Sequence, residues 1–361
     1  MQISIANAQF NTLIFTVLFW TLLILSIRKP KTEAFFASFR TQELKGFAIL
    51  AIIFSHIGYF LSTDQRFLYP MSILAGVGVN LFLFLSGFGL TVSSLKLPLP
   101  IYRFYLKRLR KLFVPMWVII TLFLLMDFFI LQKSYQFDEI YNSFLGFFPV
   151  ADLFENLNSP LWYFSLILFY YLIFPLVFFK RFAYLAPILI LLISYYLLKV
   201  NLPFEIDKDV VNLYKLHFAP FPLGVLFAIL INDEKLMHFK IKVKELFFEG
   251  LKFFWIGVFA YGFLYYSIHA GTDLSKTIEQ IISLITMFCL IFLFIAKNVE
   301  VRLFSVFGIF SYEIYLIHWP ILSRYDYFYK YLPAWIATLL YLGLFLGLGY
   351  LLHRLTRRLS G

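Results

Sequence analysis

Long apolar stretches alternate with short polar segments along the whole chain. Each stretch comes close to the roughly 20 residues that a helix needs to cross a bilayer core of about 30 Å. The apolar run 140–150 is too short to span and is expected to lie at the interface or to re-enter the membrane. The sequence therefore predicts an all-α, polytopic transmembrane helix bundle. Its eleven predicted spans lie near residues 10–27, 46–62, 72–94, 112–131, 161–179, 183–199, 213–231, 252–269, 279–296, 304–322 and 333–352.

The composition supports a membrane protein and excludes a soluble one. Hydrophobic residues make up 61% of the 361 residues, charged residues only 14%, and the mean hydropathy is +0.83. Soluble domains carry roughly 25% charged residues. The single cysteine, Cys289, lies inside an apolar run, so no disulfide can form within the chain.

The distribution of basic residues predicts the orientation of the spans. If successive spans alternate in direction, 23 of the 31 Lys and Arg residues fall on one side and most acidic residues on the other. Lys and Arg accumulate in cytoplasmic loops, so we expect the N-terminus outside and the C-terminus inside. The net charge of +11 is then mostly a topological signal, and nucleic-acid binding is not expected.

The chain leaves no room for a second soluble domain, because its longest segment between spans, around 132–160, is under 30 residues. No Lys or Arg precedes the first apolar stretch, which is typical of an uncleaved span and not of a signal peptide. We expect an extra N-terminal span with its cytoplasmic linker (1–39), a membrane domain (40–353) and a short basic cytoplasmic tail (354–361).

Two ionisable residues single out the second span. His56 lies inside the apolar run, where an ionisable side chain is costly and is a functional-site hypothesis by default. Lys45 stands eleven residues earlier, about three turns, so both side chains share one helix face roughly 16 Å apart. A neutral imidazole there can act as a general base on an alcohol. The alternative is a structural histidine that bonds a neighbouring helix.

Four polar or aromatic residues are candidates for lining a substrate cavity. Asn80 and Ser86 lie at membrane depth in the third span, whose glycines favour close helix packing. Trp162 and Tyr163 open the fifth span, where they fit either an interfacial aromatic belt or the rim of a sugar-binding site.

The tenth span holds two ionisable residues, Glu313 and His318, which we take as candidate catalytic residues beside His56. They are five positions apart, about 140° around a helix, so they do not face each other. Glu313 therefore needs a partner elsewhere or is protonated.

A dense basic segment precedes Pro115. Positive-inside charge attracted to anionic lipid would explain it. A phosphate-binding site explains it equally well, since Arg binds phosphate through two parallel hydrogen bonds and Lys binds it as a point charge. The candidate phosphate-binding residues are Lys45, Arg103, Lys107, Arg108, Arg110 and Lys111.

Five motifs in order make the chain resemble the integral-membrane acyltransferase family 3, which modifies bacterial polysaccharides and other surface glycans. One departure is that Lys45 stands where the family usually has Arg, which keeps the charge and loses bidentate phosphate binding. Another is the extra first span. The matching segments are Lys45-Gly-Phe-(x8)-His56, Gly78 to Phe88, the basic stretch ending in Pro115-Met-Trp117, Leu161-Trp162-Tyr163 and Ser311 to Pro320.

The resemblance implies O-acylation, most often acetylation, of a sugar hydroxyl in the bacterial inner membrane. The donor would be cytoplasmic acyl-CoA, with no permanently bound cofactor and no metal. The acceptor would be a cell-surface carbohydrate or a lipid-linked glycan, and His56 would serve as general base or as transient acyl carrier. A glycan exporter without acyl transfer and a structural partner in a glycan-synthesis complex are the rival functions. Inverted repeats would favour the exporter, and the sequence shows none.

Overall fold

The computed structural model describes residues 2–30, 36–97, 100–151, 157, 160–200, 205–271 and 275–360, with side chains of the last helix up to Arg357. The linker residues 31–35, part of the predicted N-terminal segment, lie outside the described residues. Within the described part, nearly all regular structure is helical. The helices are α1 Ala8–Leu25, α2 Ser38–Ser55, α3 Ala75–Lys96, α4 Ile101–Leu131, α5 Phe137–Leu145, α6 Trp162–Val177, α7 Leu185–Leu197, α8 Lys208–His217, α9 Pro220–Asn232, α10 Met237–Lys244, α11 Lys252–Ser267, α12 Lys276–Ala296, α13 Arg302–Ile309, α14 Ser311–Arg324, α15 Phe328–Tyr331 and α16 Ala334–Ser360.

Short elements of other types connect these helices. A π-helical turn, His56–Leu61, continues α2 without a break. The two-residue strands β1 Ile27–Arg28 and β2 Glu300–Val301 pair antiparallel. The part of the chain that the structure describes also contains a second π-helical turn and three 3₁₀ turns, at Glu245–Gly250, Met71–Ile73, Lys180–Phe182 and Glu234–Leu236.

The helices confirm a polytopic membrane bundle. Seven helical spans among the described residues are long and apolar enough to cross a membrane, or nine if each of two bent helix pairs counts as one. The shorter apolar helices α6 and α7 occupy the predicted fifth and sixth spans. The count of eleven stays a prediction.

The tenth predicted span is not one straight helix. It consists of α13 and α14, which bend by 79° at Phe310. The bend lets α13 lie directly on α2, because a Cβ at Gly308 would collide with the Gln42 carbonyl and a Cβ at Gly46 with that of Phe304. Close backbone approach at small residues is a common way for membrane helices to associate.

The helix that carries Lys45 and His56 lies in the middle of the bundle. In the span formed by α2 and its π-helical turn, 78% of the most apolar window is buried inside the protein, against 28% for α1. Helix α1 faces the bundle through a single stripe that includes Phe15 and Phe19, whose rings meet Phe54 of α2 edge-on. The predicted extra helix is thus peripheral, and the candidate site is internal.

Contacts between loops show which helix ends lie together. At one end, β1 pairs with β2, and Lys297 forms an ion pair with Glu43 at 2.6 Å. At the other end, Ile3 forms a bridge with Ser62. These groupings match the sides assigned from the basic residues, while the end that faces the cytoplasm stays a prediction.

Candidate active site

His56 and His318 meet head to head in the core of the bundle. His56 Nδ1 lies 2.7 Å from His318 Nε2, and the two ring planes are within 5° of each other. His56 begins the π-helical turn that ends α2, a type of irregularity that often marks functional sites. Helix α14 supplies His318, which is fully buried.

The backbone around His318 fixes the tautomers of both imidazoles. His318 Nδ1 lies 3.0 Å and 2.9 Å from the carbonyl oxygens of Ile314 and Tyr315, which can only accept hydrogen bonds. His318 therefore carries its proton on Nδ1, and in the neutral ring Nε2 is an acceptor. His56 Nδ1 must donate to it, which leaves the lone pair of His56 Nε2 unused. In catalytic triads, too, a third group orients the base that activates the nucleophile, and His318 has the corresponding position relative to His56.

His56 Nε2 has no hydrogen-bond partner among the described residues, and it opens into a cavity of about 400 Å³. We call this the histidine cavity, since His56 and His217 both line it. Trp162, Tyr163 and Tyr315 contribute aromatic walls. The cavity thus presents a base beside flat apolar surfaces, which suits a polar ring-shaped ligand.

A second cavity, of about 510 Å³, lies on the side of α2 that carries Lys45. We call it the basic cavity, because Lys45, Arg108, Lys111 and Arg357 line it. None of the four forms an ion pair with a described residue, and the first three are close enough to repel one another. Unpaired cations that converge in this way favour a ligand with several negative charges.

Three aromatic rings separate the two cavities. Phe82, Tyr163 and Tyr315 line both of them. The Tyr163 ring lies 6.2 Å from that of Phe82 and meets the Tyr315 ring edge-on at 5.5 Å. Anything that passes from the basic cavity to His56 must pass this aromatic partition.

A cavity larger than both of these, of about 1360 Å³, lies elsewhere, between α6, α7 and α8. Mostly apolar side chains line it, and neither His56 nor the cations of the basic cavity reach it. Size alone therefore does not identify the site; the convergence of polar groups does.

The comparison with protein families decides the class of the chain. A family model described as an acyltransferase domain matches residues 44–354. The chain belongs to acyltransferase family 3. No curated protein and no solved structure matches it. The resemblance drawn from the five motifs is thereby confirmed, and the matched range contains both cavities except for Thr356 and Arg357.

The acyltransferase distributes the predicted phosphate-binding residues over different faces of α4. Arg108 and Lys111, three residues apart, share the face of the buried Leu112 and reach the basic cavity beside Lys45. The remaining members are exposed and do not line this cavity: Arg103, Lys107 and Arg110.

Glu313 lies apart from the imidazole pair of the acyltransferase. It lines the basic cavity, where its Oε1 accepts a hydrogen bond from His353 Nδ1 of α16 at 2.7 Å. The five-residue spacing thus directs Glu313 and His318 to different helices, as the helical phase requires. Glu313 contacts the side on which the cations converge and does not contact His56.

The four predicted substrate-binding residues differ in their placement relative to the two cavities. Trp162 lines the histidine cavity and Tyr163 borders both cavities. Ser86 lines the basic cavity beside the phenols of Tyr163 and Tyr171. Asn80 is fully buried and lines neither cavity.

Sequence reasoning missed several residues that the acyltransferase places at the site. Tyr315 stands three positions before His318 in the tenth span, which would have marked it as a neighbour on the same helix face. The basic cavity adds His353 and Arg357, which were assigned to the end of the membrane domain and to the tail. His217 precedes Pro220 and Pro222, a pattern that by itself indicates only a kinked helix end.

Proposed function

We propose that the protein transfers an acyl group, most simply acetyl, from acyl-CoA in the basic cavity to a carbohydrate hydroxyl in the histidine cavity. The observation that carries this proposal is the unused lone pair of His56 Nε2, which His318 fixes in place. A neutral imidazole with a fixed tautomer is the general base that attack by an alcohol on a thioester requires.

The basic cavity suits the donor. Coenzyme A carries phosphates at one end and the thioester at the other, joined by an extended arm. Lys45, Arg108, Lys111 and Arg357 supply charge for the phosphates. The arm then runs along α2 toward His56, about 16 Å from Lys45 at 1.5 Å per residue, and brings the thioester to the aromatic partition.

In the proposed transfer, His56 takes a proton from the acceptor and returns it to the leaving sulfur. The acceptor hydroxyl gives its proton to His56 Nε2 while its oxygen forms a bond to the thioester carbonyl carbon. The carbon–sulfur bond then breaks, and the sulfur leaves with the bonding electrons and takes the proton from His56. His318 Nε2 accepts the hydrogen bond from His56 Nδ1 throughout and stabilises the transient imidazolium.

The proposed setting is a bacterial inner membrane crossed by eleven spans, with the basic cavity on the cytoplasmic side. The excess of Lys and Arg on that side supports this orientation. Reporter fusions at the two termini should then report opposite sides of the membrane. Both termini on the cytoplasmic side would contradict the eleven-span orientation.

The direct test is incubation of the purified protein with radiolabelled acetyl-CoA and with the surface carbohydrate of the producing cells. We expect label in the carbohydrate that mild alkali releases as acetate, and no such label when His56→Ala replaces the wild type. A glycan exporter without acyl transfer predicts movement of carbohydrate across the membrane and no labelled ester.

A further inference from the structure

A second imidazole, that of His217, is held in the histidine cavity in a fixed position. His217 is 4% exposed and ends helix α8 just before the break at Phe218 and Ala219. Its Nδ1 lies 2.6 Å from Asn80 Oδ1, and Asn80 Nδ2 donates to Ser283 Oγ at 2.8 Å. A continuous series of side-chain hydrogen bonds thus connects helices α3, α8 and α12.

This chain of bonds fixes the tautomer of His217. The amide N–H of Asn80 points to Ser283, which leaves its carbonyl oxygen facing His217 Nδ1. Because a carbonyl oxygen can only accept a hydrogen bond, His217 carries its proton on Nδ1. In the neutral ring, His217 Nε2 then keeps its lone pair. No described residue bonds to His217 Nε2, and this atom is not sealed off from solvent-sized space.

The surroundings of His217 leave room for a ligand. Its ring lies nearly parallel to Trp162, with centroids 5.6 Å apart and planes 20° apart, so one face is covered. A Cβ at Gly76 would stand 3.8 Å from His217 Cε1, and Gly76 itself lines the cavity. A larger residue at position 76 would fill the space beside the imidazole.

We propose that His217 is the acceptor-binding residue of the histidine cavity and holds a second hydroxyl of a polyhydroxylated ring while His56 Nε2 takes the reacting hydroxyl. Two unused imidazole lone pairs that line one cavity match a ligand with at least two O–H donors, which a sugar ring supplies and a simple alcohol does not. Asn80 and Ser283 are positioning residues that act through His217. This inference rests on the proposed acyl transfer and adds a residue that binds its acceptor.

The test compares four variants in cells that carry the full chain: His217→Ala, Asn80→Leu, Asn80→Asp and Ser283→Ala. The readout is the alkali-releasable acyl content of the purified surface carbohydrate. Affinity of each purified variant for a non-hydrolysable CoA analogue reports an intact fold, because the basic cavity lies across the aromatic partition.

We expect His217→Ala and Asn80→Leu to lower the acyl content roughly tenfold or more, the effect of losing one hydrogen bond to a substrate hydroxyl and leaving its partner unpaired. Asn80→Asp should retain most of it, because a carboxylate still accepts from His217 Nδ1 and from the Ser283 hydroxyl. Ser283→Ala should have an intermediate effect. All four should bind the CoA analogue as the wild type does.

Wild-type acyl content in His217→Ala would overturn the inference. So would equal losses in Asn80→Asp and Asn80→Leu, since that result would make the cluster a packing element. If His217→Ala does not fold, the two Asn80 variants decide the question alone. A wild type that adds no acyl groups would overturn the proposed function itself, a result distinct from any difference among the variants.

Discussion

The basic cavity and the histidine cavity share a wall but are built in opposite ways. The basic cavity gathers long cationic side chains that have no ion-pair partner among the described residues. The histidine cavity gathers short, buried imidazoles, each fixed by a hydrogen bond that its Nδ1 donates. One cavity is thus prepared to bind charge, and the other is prepared to move a proton.

The contrast shows how one membrane protein can separate binding from chemistry. A long cationic side chain can keep its charge hydrated near the polar edge of the membrane, so it needs no ion-pair partner before an anionic ligand binds. A general base instead needs a fixed position and tautomer, which the backbone carbonyls of Ile314 and Tyr315 give to the His318–His56 pair. Substitutions on the two sides should therefore alter different kinetic parameters.

The largest expected effect is that of His56→Ala on turnover. Loss of a general base typically lowers the rate about 10²- to 10⁴-fold, while donor affinity should stay unchanged because His56 does not line the basic cavity. Turnover with acetyl-CoA and binding of a CoA analogue are the two measurements. His238→Ala, at an exposed position of α10, is the matched control and should behave as the wild type.

His318→Ala sharpens this prediction. The substitution removes the acceptor for His56 Nδ1–H, so the proton of His56 is no longer fixed on Nδ1. Because the base itself remains, turnover should fall less than it does in His56→Ala. Near-normal turnover in His56→Ala would show that both imidazoles are structural and would remove the distinction between the two cavities.

The next effect in size is on donor binding. Arg108→Gln should weaken binding of a CoA analogue roughly tenfold, at the lower end of the 1.5–3 kcal/mol typical of a hydrogen bond to a charged group, because Arg108 is half-buried. Turnover at saturating donor should change little. Equilibrium binding in one detergent measures the difference.

Arg110→Gln is the matched control for that experiment. It removes the same charge from the same helix at an exposed position outside the basic cavity. If attraction to anionic lipid explains the basic segment, both variants should alter insertion equally and neither should alter donor affinity. Equal affinities in Arg108→Gln and Arg110→Gln would therefore leave the segment as a topology signal.

A smaller effect is expected at the aromatic partition. Phe82→Leu should widen the passage between the cavities and raise the rate with propionyl-CoA relative to acetyl-CoA by roughly fivefold, the lower end of the ~1–3 kcal/mol that one methylene is worth in a fitted site. Phe88→Leu makes the same change on α3 at a position that lines neither cavity. An unchanged ratio in Phe82→Leu would show that the acyl group takes another route.

Local sequence patterns sufficed for much of this arrangement. The apolar runs predicted the helices, and the eleven-residue spacing predicted that Lys45 and His56 share a face; the structure places Lys45 in the basic cavity and His56 in the adjoining histidine cavity. Both inferences depend only on helix geometry and on the cost of charge in a bilayer. The ordered motifs then predicted the family, which the match over 44–354 confirms.

The remaining features depend on contacts between distant parts of the chain. His217 gains its role from Asn80, 137 residues away, and Glu313 finds its partner His353 40 residues later. The bend at Phe310 accompanies the close approach of α13 to α2, which joins parts of the chain about 260 residues apart. Helical periodicity describes one helix at a time, so it cannot predict which neighbour a buried polar group will meet.

The smallest expected effect tests the position of Glu313. Because Glu313 lies among the cations of the basic cavity and bonds His353, Glu313→Gln should keep that hydrogen bond through the amide oxygen and remove one negative charge. An anionic donor is repelled by the carboxylate and not by the amide, so donor affinity should rise by a factor of about five or less, corresponding to about 1 kcal/mol. Turnover at saturating donor should stay within a few-fold of the wild type. A loss of turnover as large as that of His56→Ala, with donor affinity unchanged, would instead make Glu313 a catalytic residue and join the chemistry of the two cavities.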